Sequence, residues 1–464
     1  MEKQTSRWPR RKLLASVAGG IGAVLLAACA QPQPTPAPGQ KPAEAKPAEA
    51  KPAGQVTNIA FFEWGDINDK AIADATIEDF QKAQSLIKVR LEQPTGNYYE
   101  KLQTVLAGGV APDVLNCQTW RFQPFAAKGS LEPLDTFRSR DNYNVPYPDA
   151  WKVVYDPQTK FRGKLYGVPW NMNSMVIFYA KGQFDKAGVK YPTNEWTYAD
   201  FTEAAKRLTR TEGGVKFYGY QTNTSYERLA AWMRLHGDKE WDTEIEPKKA
   251  LWNQPRIVDM INYQLYEVMN TVKCSPTPAE MQGGTNQLQS GNVAMKMEGP
   301  WFLPQMMGPQ AKREGGTPFD VVLMPMGEGG KRAHMVFGHD LTMNKASKAK
   351  DAAWEFMKFA GDEGGQKHVA KGGRQPVTPE FNERIWAPLA KQQFGFENTA
   401  AFIKGFETGI VHLAGEVEDR FIYNEVLKAA FDAMIAGQAQ AKDLIPDVNA
   451  KLQKILDDFW ATQK

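Results

Sequence analysis

The segment at 163–208 constrains the fold more than any other part of the chain. Its apolar run at 175–179 predicts a buried strand, and the short helix that follows should end at Gly188. Thr197 is a suitable N-cap for a longer helix. Apolar side chains recur behind it at helical spacing, at Tyr198, Phe201, Ala205 and Leu208. A strand, a turn and helices in succession indicate an α/β protein.

The chain is long enough to form two hydrophobic cores. It has 464 residues, of which 42% are hydrophobic and 23% are charged, as in ordinary globular proteins. The net charge of +3 comes from the N-terminus, because residues 1–28 carry five basic side chains and one acidic side chain, which leaves a net charge of about −1 on the remainder. A nearly neutral body gives no electrostatic reason to expect nucleic acid as a partner.

The N-terminus has the layout of an export signal. A basic run at 10–12 precedes an apolar stretch at 13–28, which is too short to span a membrane. The stretch ends in the sequence LAAC at 26–29, which looks like a bacterial lipobox, so we expect Cys29 to be lipidated. The doublet Arg10-Arg11 is compatible with a twin-arginine signal or with an ordinary basic region.

Residues 29–55 predict a tether. A five-residue repeat of Lys, Pro, Ala and Glu starts at Lys41 and at Lys46, and a variant of it starts at Lys51. Such a segment has little to bury, so it should be disordered, with an extended bias from proline. We expect it to connect the lipid, at the outer face of the cell membrane, to a folded extracytoplasmic body.

Aromatic, acidic and amide side chains follow two predicted strands, at 56–62 and from 111 onwards. In open α/β sheets, ligands bind outside the carboxyl ends of the strands, so these side chains are candidates for a cleft. They are Glu63, Trp64, Asn116, Gln118 and Trp120. Packing beneath a loop is the alternative for Trp64, and most of the 13 Trp residues should be packing residues.

Three sequence blocks resemble one known family. They are GKLYGVP at 163–169, YEKLQTVLAGGVAPDVL at 99–115 and LQSGNVAMKMEGPW at 288–301. Their spacing resembles that of the family 1 extracellular solute-binding proteins of ABC importers, which are mostly sugar binders. The chain departs from the family pattern in two places: Ala180 stands where the family has Asn, and Trp196-Thr197 inverts the usual Thr-Trp order.

The resemblance implies a two-lobed α/β fold of the periplasmic-binding-protein type, with three hinge crossings. Lobe one would comprise 56–170 and 337–374, and lobe two would comprise 171–336 and 375–464. Two helices predicted within 420–460 would form a C-terminal extension of lobe two. A solute bound between the lobes would favour their closed arrangement.

The resemblance also implies which side chains meet the solute. Trp170 and Asn171 would lie at the hinge, and a Gly-Pro turn would bring Trp301 to the cleft, where its indole would stack on a sugar ring. Covering the core is the alternative role for Trp301. The complete set of expected ligand-binding residues is Glu63, Trp64, Asn116, Gln118, Trp120, Trp170, Asn171, Glu298, Trp301, Asp340 and Arg374.

The sequence shows no catalytic or metal-binding motif. Its five histidines are scattered, and neither a nucleophile elbow nor a phosphate-binding loop occurs. Carboxylate pairs carry no information in a chain with 53 acidic residues. We therefore expect a monomeric binding protein without cofactor or metal, which captures a small solute, with carbohydrate favoured. The resemblance implies ABC permease subunits as its partners.

Several alternatives stay open at this point. A carbohydrate-active extracytoplasmic lipoprotein enzyme would turn over a glycoside, and a purely structural lipoprotein would lack a cleft. Cys117 and Cys274 either form a disulfide or remain buried thiols. Polyols and glycerol phosphates are alternative solutes to mono- and oligosaccharides.

Overall fold

The structure describes most of the chain from residue 55 onward. The computed structural model describes residues 55–145, 148–284, 287–306, 319–412, 414–417 and 422–463. The predicted export signal, the LAAC sequence with Cys29 and nearly all of the predicted tether lie outside these residues. No helix within the described ranges is both long enough and apolar enough to cross a bilayer.

The described residues form a mixed α/β fold. In chain order, the strands are β1 (Thr57–Phe62), β2 (Ile87–Glu92), β3 (Val114–Gln118), β4 (Lys160–Phe161), β5 (Lys164–Leu165), β6 (Gly167–Ser174), β7 (Val176–Ala180), β8 (Arg210–Glu212), β9 (Val215–Phe217), β10 (Met295–Glu298), β11 (Phe319–Val322), β12 (His334–Met343) and β13 (Gly409–Ile410).

The α-helices alternate with the strands and then continue to the C-terminus. They are α1 (Ile67–Ala83), α2 (Tyr98–Ala107), α3 (Gln123–Ala127), α4 (Asp135–Asp141), α5 (Asp149–Thr159), α6 (Lys181–Ala187), α7 (Tyr198–Leu208), α8 (Tyr226–Met233), α9 (Pro255–Asn262), α10 (Leu303–Met306), α11 (Lys350–Gly361), α12 (Glu363–Lys371), α13 (Pro379–Phe381), α14 (Ala387–Phe394), α15 (Ala400–Lys404), α16 (Lys428–Ile435) and α17 (Ala441–Thr462).

A six-stranded sheet organises one half of the body. Strand β1 lies between β2 and β3 and is parallel to both, as expected for strands connected through the crossover helices α1 and α2. Strand β12 arrives from much later in the chain and pairs antiparallel with both β3 and β6. Strand β13 is parallel to the start of β12. The sheet therefore joins segments that are far apart in sequence.

A three-stranded antiparallel sheet organises the other half. Its central strand, β7, pairs with β10 on one side and with β11 on the other. All five residues of β7 are buried, which agrees with the continuous apolar run at 175–179 that predicted a strand.

Each sheet has a hydrophobic core of its own. Phe61 packs with Ile72 and Phe356 against the six-stranded sheet, whereas Phe201 and Leu452 pack near the three-stranded sheet. The second core takes in α7, α16 and α17, so the C-terminal helices cover it. Two cores agree with the predicted two-lobed α/β fold class.

Local signals in the sequence placed several helix ends correctly. Helix α7 begins after Thr197, whose hydroxyl accepts from the Asp200 amide at 3.2 Å while the Asp200 carboxylate accepts from the Thr197 amide at 2.8 Å. Helix α6 ends before Gly188, which adopts φ +61°. Both features satisfy backbone groups that a helix end leaves without partners.

Two predicted elements differ from the observed ones. The sequence predicts a single helix over 255–269, whereas the structure has α9 followed by a wider π-type segment, Tyr263–Thr271. The sequence also predicts a strand over 217–220, whereas the observed strand, β9, lies slightly earlier. It pairs with β8 through a turn in which Gly213 and Gly214 have φ +54° and +77°. Positive φ at both central residues is what a tight hairpin turn requires.

The two cysteines of the body are separate, buried thiols. Of the two alternatives left open by the sequence, the free thiols are therefore the correct one. Burial raises the pKa of Cys117 and of Cys274 to about 12. Both groups stay protonated at neutral pH and are consequently unreactive.

Candidate functional site

Strand pairing brings three polar side chains together in the six-stranded sheet. His339 of β12 is opposite Gln118 of β3 and opposite Asn171 of β6. Residues opposite one another in a sheet present their side chains on the same face. Gln118, His339 and Asn171 therefore form a row across three strands, which becomes one wall of a cavity.

The cavity has a volume of about 260 Å³ and is lined by both halves of the body. Its aromatic lining residues are Trp64, Trp120, Trp301, Phe337 and His339. Its polar lining residues are Asp66, Asp69, Gln118, Asn171, Asn173, Glu227, Arg228, Gln305 and Arg374. Apolar faces surrounded by hydrogen-bonding groups are typical of small-molecule sites.

The Trp301 indole is held in place by its own turn. Its Nε1 donates to Glu298 Oε1 at 2.8 Å, and the ring lies so close to Gly299 that a Cβ there would come within 2.3 Å of it. Arg228 lies 6.0 Å from the ring centroid on another side. Glu298 thus supports the aromatic wall from behind rather than lining the cavity.

Two further aromatic pairs complete the wall. Trp120 packs on Phe337 with ring centroids 4.8 Å apart, and Phe337 also contacts Trp301 at 6.1 Å. Trp64 packs on the His339 ring at 4.6 Å. Because the five rings come from four separate segments of the chain, with Phe337 and His339 sharing β12, the wall exists only in the folded protein.

The N-terminus of α1 supplies two carboxylates, Asp66 and Asp69, to the cavity. Asp66 caps α1, and Asp69 forms the reciprocal capping bond by accepting from the Asp66 amide at 3.0 Å. Asp69 also accepts from Arg374, at 3.1 Å from Nε and 2.9 Å from Nη2. Burial raises the pKa of Asp69, and the positive charge of Arg374 opposes this shift.

A second charged group lies on the other side of the cavity. Arg228 of α8 donates to Glu227 at 3.0 Å and to Glu298 at 3.4 Å. Lys296 reaches the other oxygen of Glu298 at 3.2 Å. Burial acts to raise the pKa of Glu298, but Arg228 and Lys296 outweigh it and hold the pKa below its usual value.

A hydrogen-bond chain behind the row determines the tautomer of His339. Asn116 donates from Nδ2 to Glu63 Oε1 at 2.8 Å, so its Oδ1 accepts from His339 Nδ1 at 2.9 Å. Burial lowers the pKa of His339 to about 3, with a smaller contribution from Arg374. The imidazole is therefore neutral at physiological pH, and its Nε2 is an acceptor at the cavity wall.

The structure separates the predicted site residues into three groups. Trp64, Gln118, Trp120, Asn171, Trp301 and Arg374 line the cavity. Glu63, Asn116 and Glu298 lie behind it and hydrogen-bond to residues of its wall or to their partners. Trp170 and Asp340 lie elsewhere, as described next.

Trp170 and Asp340 are buried on the opposite side of the six-stranded sheet from the cavity. Trp170 packs on Phe61 in the core, and the carboxyl group of Asp340 lies against Gly167. Successive side chains of a strand face opposite ways. Trp170 accordingly lies in the core and Asn171 in the cavity lining, although the β6–β12 register shifts between His339 and Asp340.

The sequence analysis missed several lining residues, among them His339, Phe337 and Arg228. On β12, Asp340 was predicted as a ligand-binding residue in place of His339. Nine of the ten residues of β12 are buried, so no alternation of polar and apolar residues was available to assign the two faces. The two-residue spacing of Phe337 and His339 was the one available signal that these side chains share a face of the strand.

The described residues contain other hollows. One of about 310 Å³ lies near Arg138 and Tyr143, and another of about 470 Å³ lies near Tyr191 and Arg207; neither contains a predicted site residue. A third, of about 670 Å³, adjoins the cavity through Trp64 and Gln118. In the described ranges, no three His, Cys, Asp or Glu side chains are grouped as metal ligands.

Comparison with known proteins gives one consistent result. The arabinooligosaccharide-binding protein of Bacillus subtilis (strain 168) is 23% identical over 429 residues, which cover 86% of this chain and 92% of that protein. The ABC substrate-binding protein Lmo0181 from Listeria monocytogenes, in complex with cycloalternan, has a similar fold, with a TM-score of 0.74, 22% identity, and coverage of 87% of this chain and all of the other.

The sugar-binding protein MalE from Xanthomonas citri also has this fold, with a TM-score of 0.72, 20% identity, and coverage of 88% of this chain and 100% of the other. Residues 64–367 match the family of bacterial extracellular solute-binding proteins, and this match covers more than half of the chain. The two-lobed fold and the matched segment agree with the resemblance noted in the sequence. This chain is therefore a member of the bacterial extracellular solute-binding protein family.

Proposed function

We propose that this protein captures a sugar or oligosaccharide between its two lobes and delivers it to the permease of an ABC importer. The observation that carries the proposal is the cavity wall of Trp64, Trp120 and Trp301 within a ring of charged and amide groups. A sugar offers an apolar ring face and a rim of hydroxyl groups, and this lining is complementary to both.

The relatives support a carbohydrate as the solute. One is by its name an arabinooligosaccharide-binding protein, and one was solved in complex with cycloalternan. The hollow of about 670 Å³ next to the cavity leaves room for a ligand longer than one sugar unit. Polyols, glycerol phosphates and other small solutes are the competing candidates.

Capture requires two lobes that move relative to each other. We assign 56–170 and 337–374 to lobe one, and 171–336 and 375–464 to lobe two. The three crossings between them would act as the hinge, as in other ligand-closing proteins. A solute in contact with both lobes stabilises the closed form by its higher affinity for that form.

The same proposal covers the N-terminus and the partners. An export signal would be removed at the LAAC sequence, Cys29 would be lipidated, and 29–55 would tether a monomeric body to the outer face of the cell membrane. The closed form would then dock on the permease subunits. Binding and release require no cofactor and no covalent chemistry, so we propose no enzymatic activity.

A thermal-shift screen of sugars on the purified protein tests the proposal. A solute at 100 to 1,000 times its dissociation constant should stabilise the protein by roughly 3–4 kcal/mol. Recovery of the sugar unchanged after incubation distinguishes a binding protein from a glycoside-cleaving enzyme. If no sugar raises the melting temperature, or if the best sugar is hydrolysed, the proposed function is wrong.

A further inference from the structure

Both guanidinium groups at the cavity are already neutralised by the protein. Arg374 is 6% exposed and pairs with Asp69, while Asp66 lies 3.9 Å away. Arg228 pairs with Glu227 and with Glu298, and Glu298 is shared with Lys296. The ion pairs at the cavity thus involve three cations, Arg228, Lys296 and Arg374, and four carboxylates, Asp66, Asp69, Glu227 and Glu298.

Three buried donors at the cavity nevertheless have no acceptor among the described residues. They are Arg374 Nη1, Arg228 Nε and Trp120 Nε1. Each belongs to a side chain that lines the cavity. A buried donor without a partner costs roughly 1–3 kcal/mol, so a rearrangement on solute binding that brings an oxygen acceptor to these atoms would recover this free energy.

The solute should therefore supply acceptors without supplying charge. An added carboxylate or phosphate would lose its hydration on entry, and it would find each guanidinium already paired. It would also meet the carboxylates of Asp66 and Glu227, which line the same cavity. Hydroxyl and ring oxygens of a neutral sugar accept hydrogen bonds without this repulsion.

We propose that the cavity selects uncharged sugars and rejects their acidic and phosphorylated counterparts, because Asp66, Asp69, Glu227 and Glu298 pre-neutralise the two arginines that hold the solute. The inference rests on the proposed function and narrows its substrate class. It favours neutral saccharides as the bound solute over glycerol phosphates and other anionic solutes.

Matched sugar pairs test the inference directly. Dissociation constants are measured by calorimetry at pH 7.5 and low salt. Among monosaccharides, glucose is compared with glucuronate and glucose 6-phosphate, and galactose is compared with galacturonate. Among disaccharides, maltose and arabinobiose are compared with di-galacturonate. In each comparison that gives binding, we expect the neutral sugar to bind at least about 30-fold more tightly than the acidic one.

Two variants test the cause of the selectivity. Asp69→Asn and Glu227→Gln keep the shape of the side chain and remove one compensating charge each, beside Arg374 and Arg228. Each should shift the ratio of acidic to neutral affinity by about 10-fold in favour of the acidic sugar. Glu203→Gln, on the exposed face of α7, makes the same change in net charge and should leave the ratio unchanged.

The outcomes are distinguishable. The inference is wrong, while the proposed function stands, if acidic sugars bind as tightly as neutral ones. It is also wrong if Asp69→Asn and Glu227→Gln leave the ratio of acidic to neutral affinity as unchanged as Glu203→Gln does. Failure of every sugar in both classes overturns the proposed function and this inference with it. Asp69 also belongs to the capping box of α1, so Glu227→Gln decides the matter if Asp69→Asn does not fold.

Discussion

The Trp301 side chain is the residue on which solute binding should depend most. Its indole is half-buried, packs near Phe337 and is held by Glu298. Trp301→Ala should weaken binding of the best sugar about 30-fold or more, since a buried aromatic anchor at a binding site contributes roughly 2 kcal/mol or more. The measurement is the dissociation constant, with the melting temperature of the solute-free protein recorded alongside.

Trp460→Ala is the control for Trp301→Ala, because it removes an indole that lies away from the cavity. Trp460 on α17 is also half-buried, and it donates to the Pro247 carbonyl at 2.8 Å away from the cavity. Trp460→Ala should lower the melting temperature and leave the dissociation constant within about two-fold of wild type. Equal effects of the two substitutions on binding would remove Trp301 from the site.

The burial of Asp340 predicts that the free energy of unfolding of the protein depends on pH. It is fully buried, neither carboxyl oxygen has a hydrogen-bond partner in the described part of the chain, and burial raises its pKa well above the usual value. The folded state therefore retains this proton at pH values where the unfolded state, with a pKa near 3.9, has lost it. Asp340 consequently lowers the free energy of unfolding as pH rises above about 4.

Asp340→Asn should remove that penalty. The variant should be more stable than wild type at pH 7.5 by roughly 1 kcal/mol or more, and the difference should vanish as the pH approaches 4. Urea unfolding at the two pH values measures it. Asp432→Asn, at an exposed ion pair on α16, should change stability little at either pH, and a pH-independent gain from Asp340→Asn would contradict the assignment.

Among the elements, the turn after β10 shows how one glycine shapes the cavity. Gly299 has φ −101° and ψ 176°, which any residue can adopt, so the reason for glycine there is the Trp301 ring above it. Gly299→Ala should displace the indole and weaken sugar binding by about 10-fold. The loss should be absent when the substitution is made in the Trp301→Ala background.

Gly108→Ala provides the comparison for Gly299→Ala. Gly108 ends α2 with φ −76°, and an added Cβ there would meet its nearest neighbour at 3.4 Å. This variant should bind sugar like wild type. A loss of affinity in Gly299→Ala that persists without the Trp301 indole would show that the turn acts by another route.

Elements were predictable where their signals are local. The capping box at Thr197 and the glycine at Gly188 each act within a few residues, and the structure has both helix ends there. The hairpin of β8 and β9 depends on the positive φ values of Gly213 and Gly214; of its two strands, only β9 was predicted, two residues late, and β8 was not. The widened turns after α9 had no recognisable signal, because an apolar face at helical spacing fits both helix types.

At the scale of the whole molecule, an ionic contact joins the two halves. Arg162 lies in the turn between β4 and β5, beside Phe161, which belongs to a cluster of the six-stranded half. Its guanidinium donates to Glu246 at 2.5 Å and also to Glu416. The chain around Glu246 is bound to Ala414 rather than to the six-stranded sheet.

Under the proposed lobe closure, Arg162→Ala should destabilise the closed arrangement. Because all three partners are partly exposed, the contact should contribute no more than about 1 kcal/mol. We expect sugar affinity to fall two- to five-fold, and the solute-free protein to have a larger radius of gyration in small-angle scattering. Salt at 1 M should abolish the difference in affinity.

Arg140→Ala serves as the control for Arg162→Ala. Arg140 also pairs with two carboxylates, Asp141 and Asp351, but all three lie within the proposed lobe one and do not line the cavity. Its loss should change neither the sugar affinity nor the radius of gyration. A similar fall in affinity in both variants would mean that Arg162 does not act through lobe closure.

The sequence by itself determined the fold class, most of the helices and strands, and six of the residues that line the cavity. Caps, glycine turns and apolar periodicity act over a few residues, and the blocks at 99–115 and 288–301 preserve the spacing of a known family. These signals need no knowledge of where distant segments meet.

Only the tertiary structure decided which side chains share the cavity. Asp69 and Arg374 form one pair across 305 positions of sequence, and His339 joins Gln118 and Asn171 only through strand pairing. In strands buried on both faces, hydrophobicity does not alternate, so the sequence could not tell Asn171 from Trp170 or His339 from Asp340. The packing of the sheet against its core makes that choice.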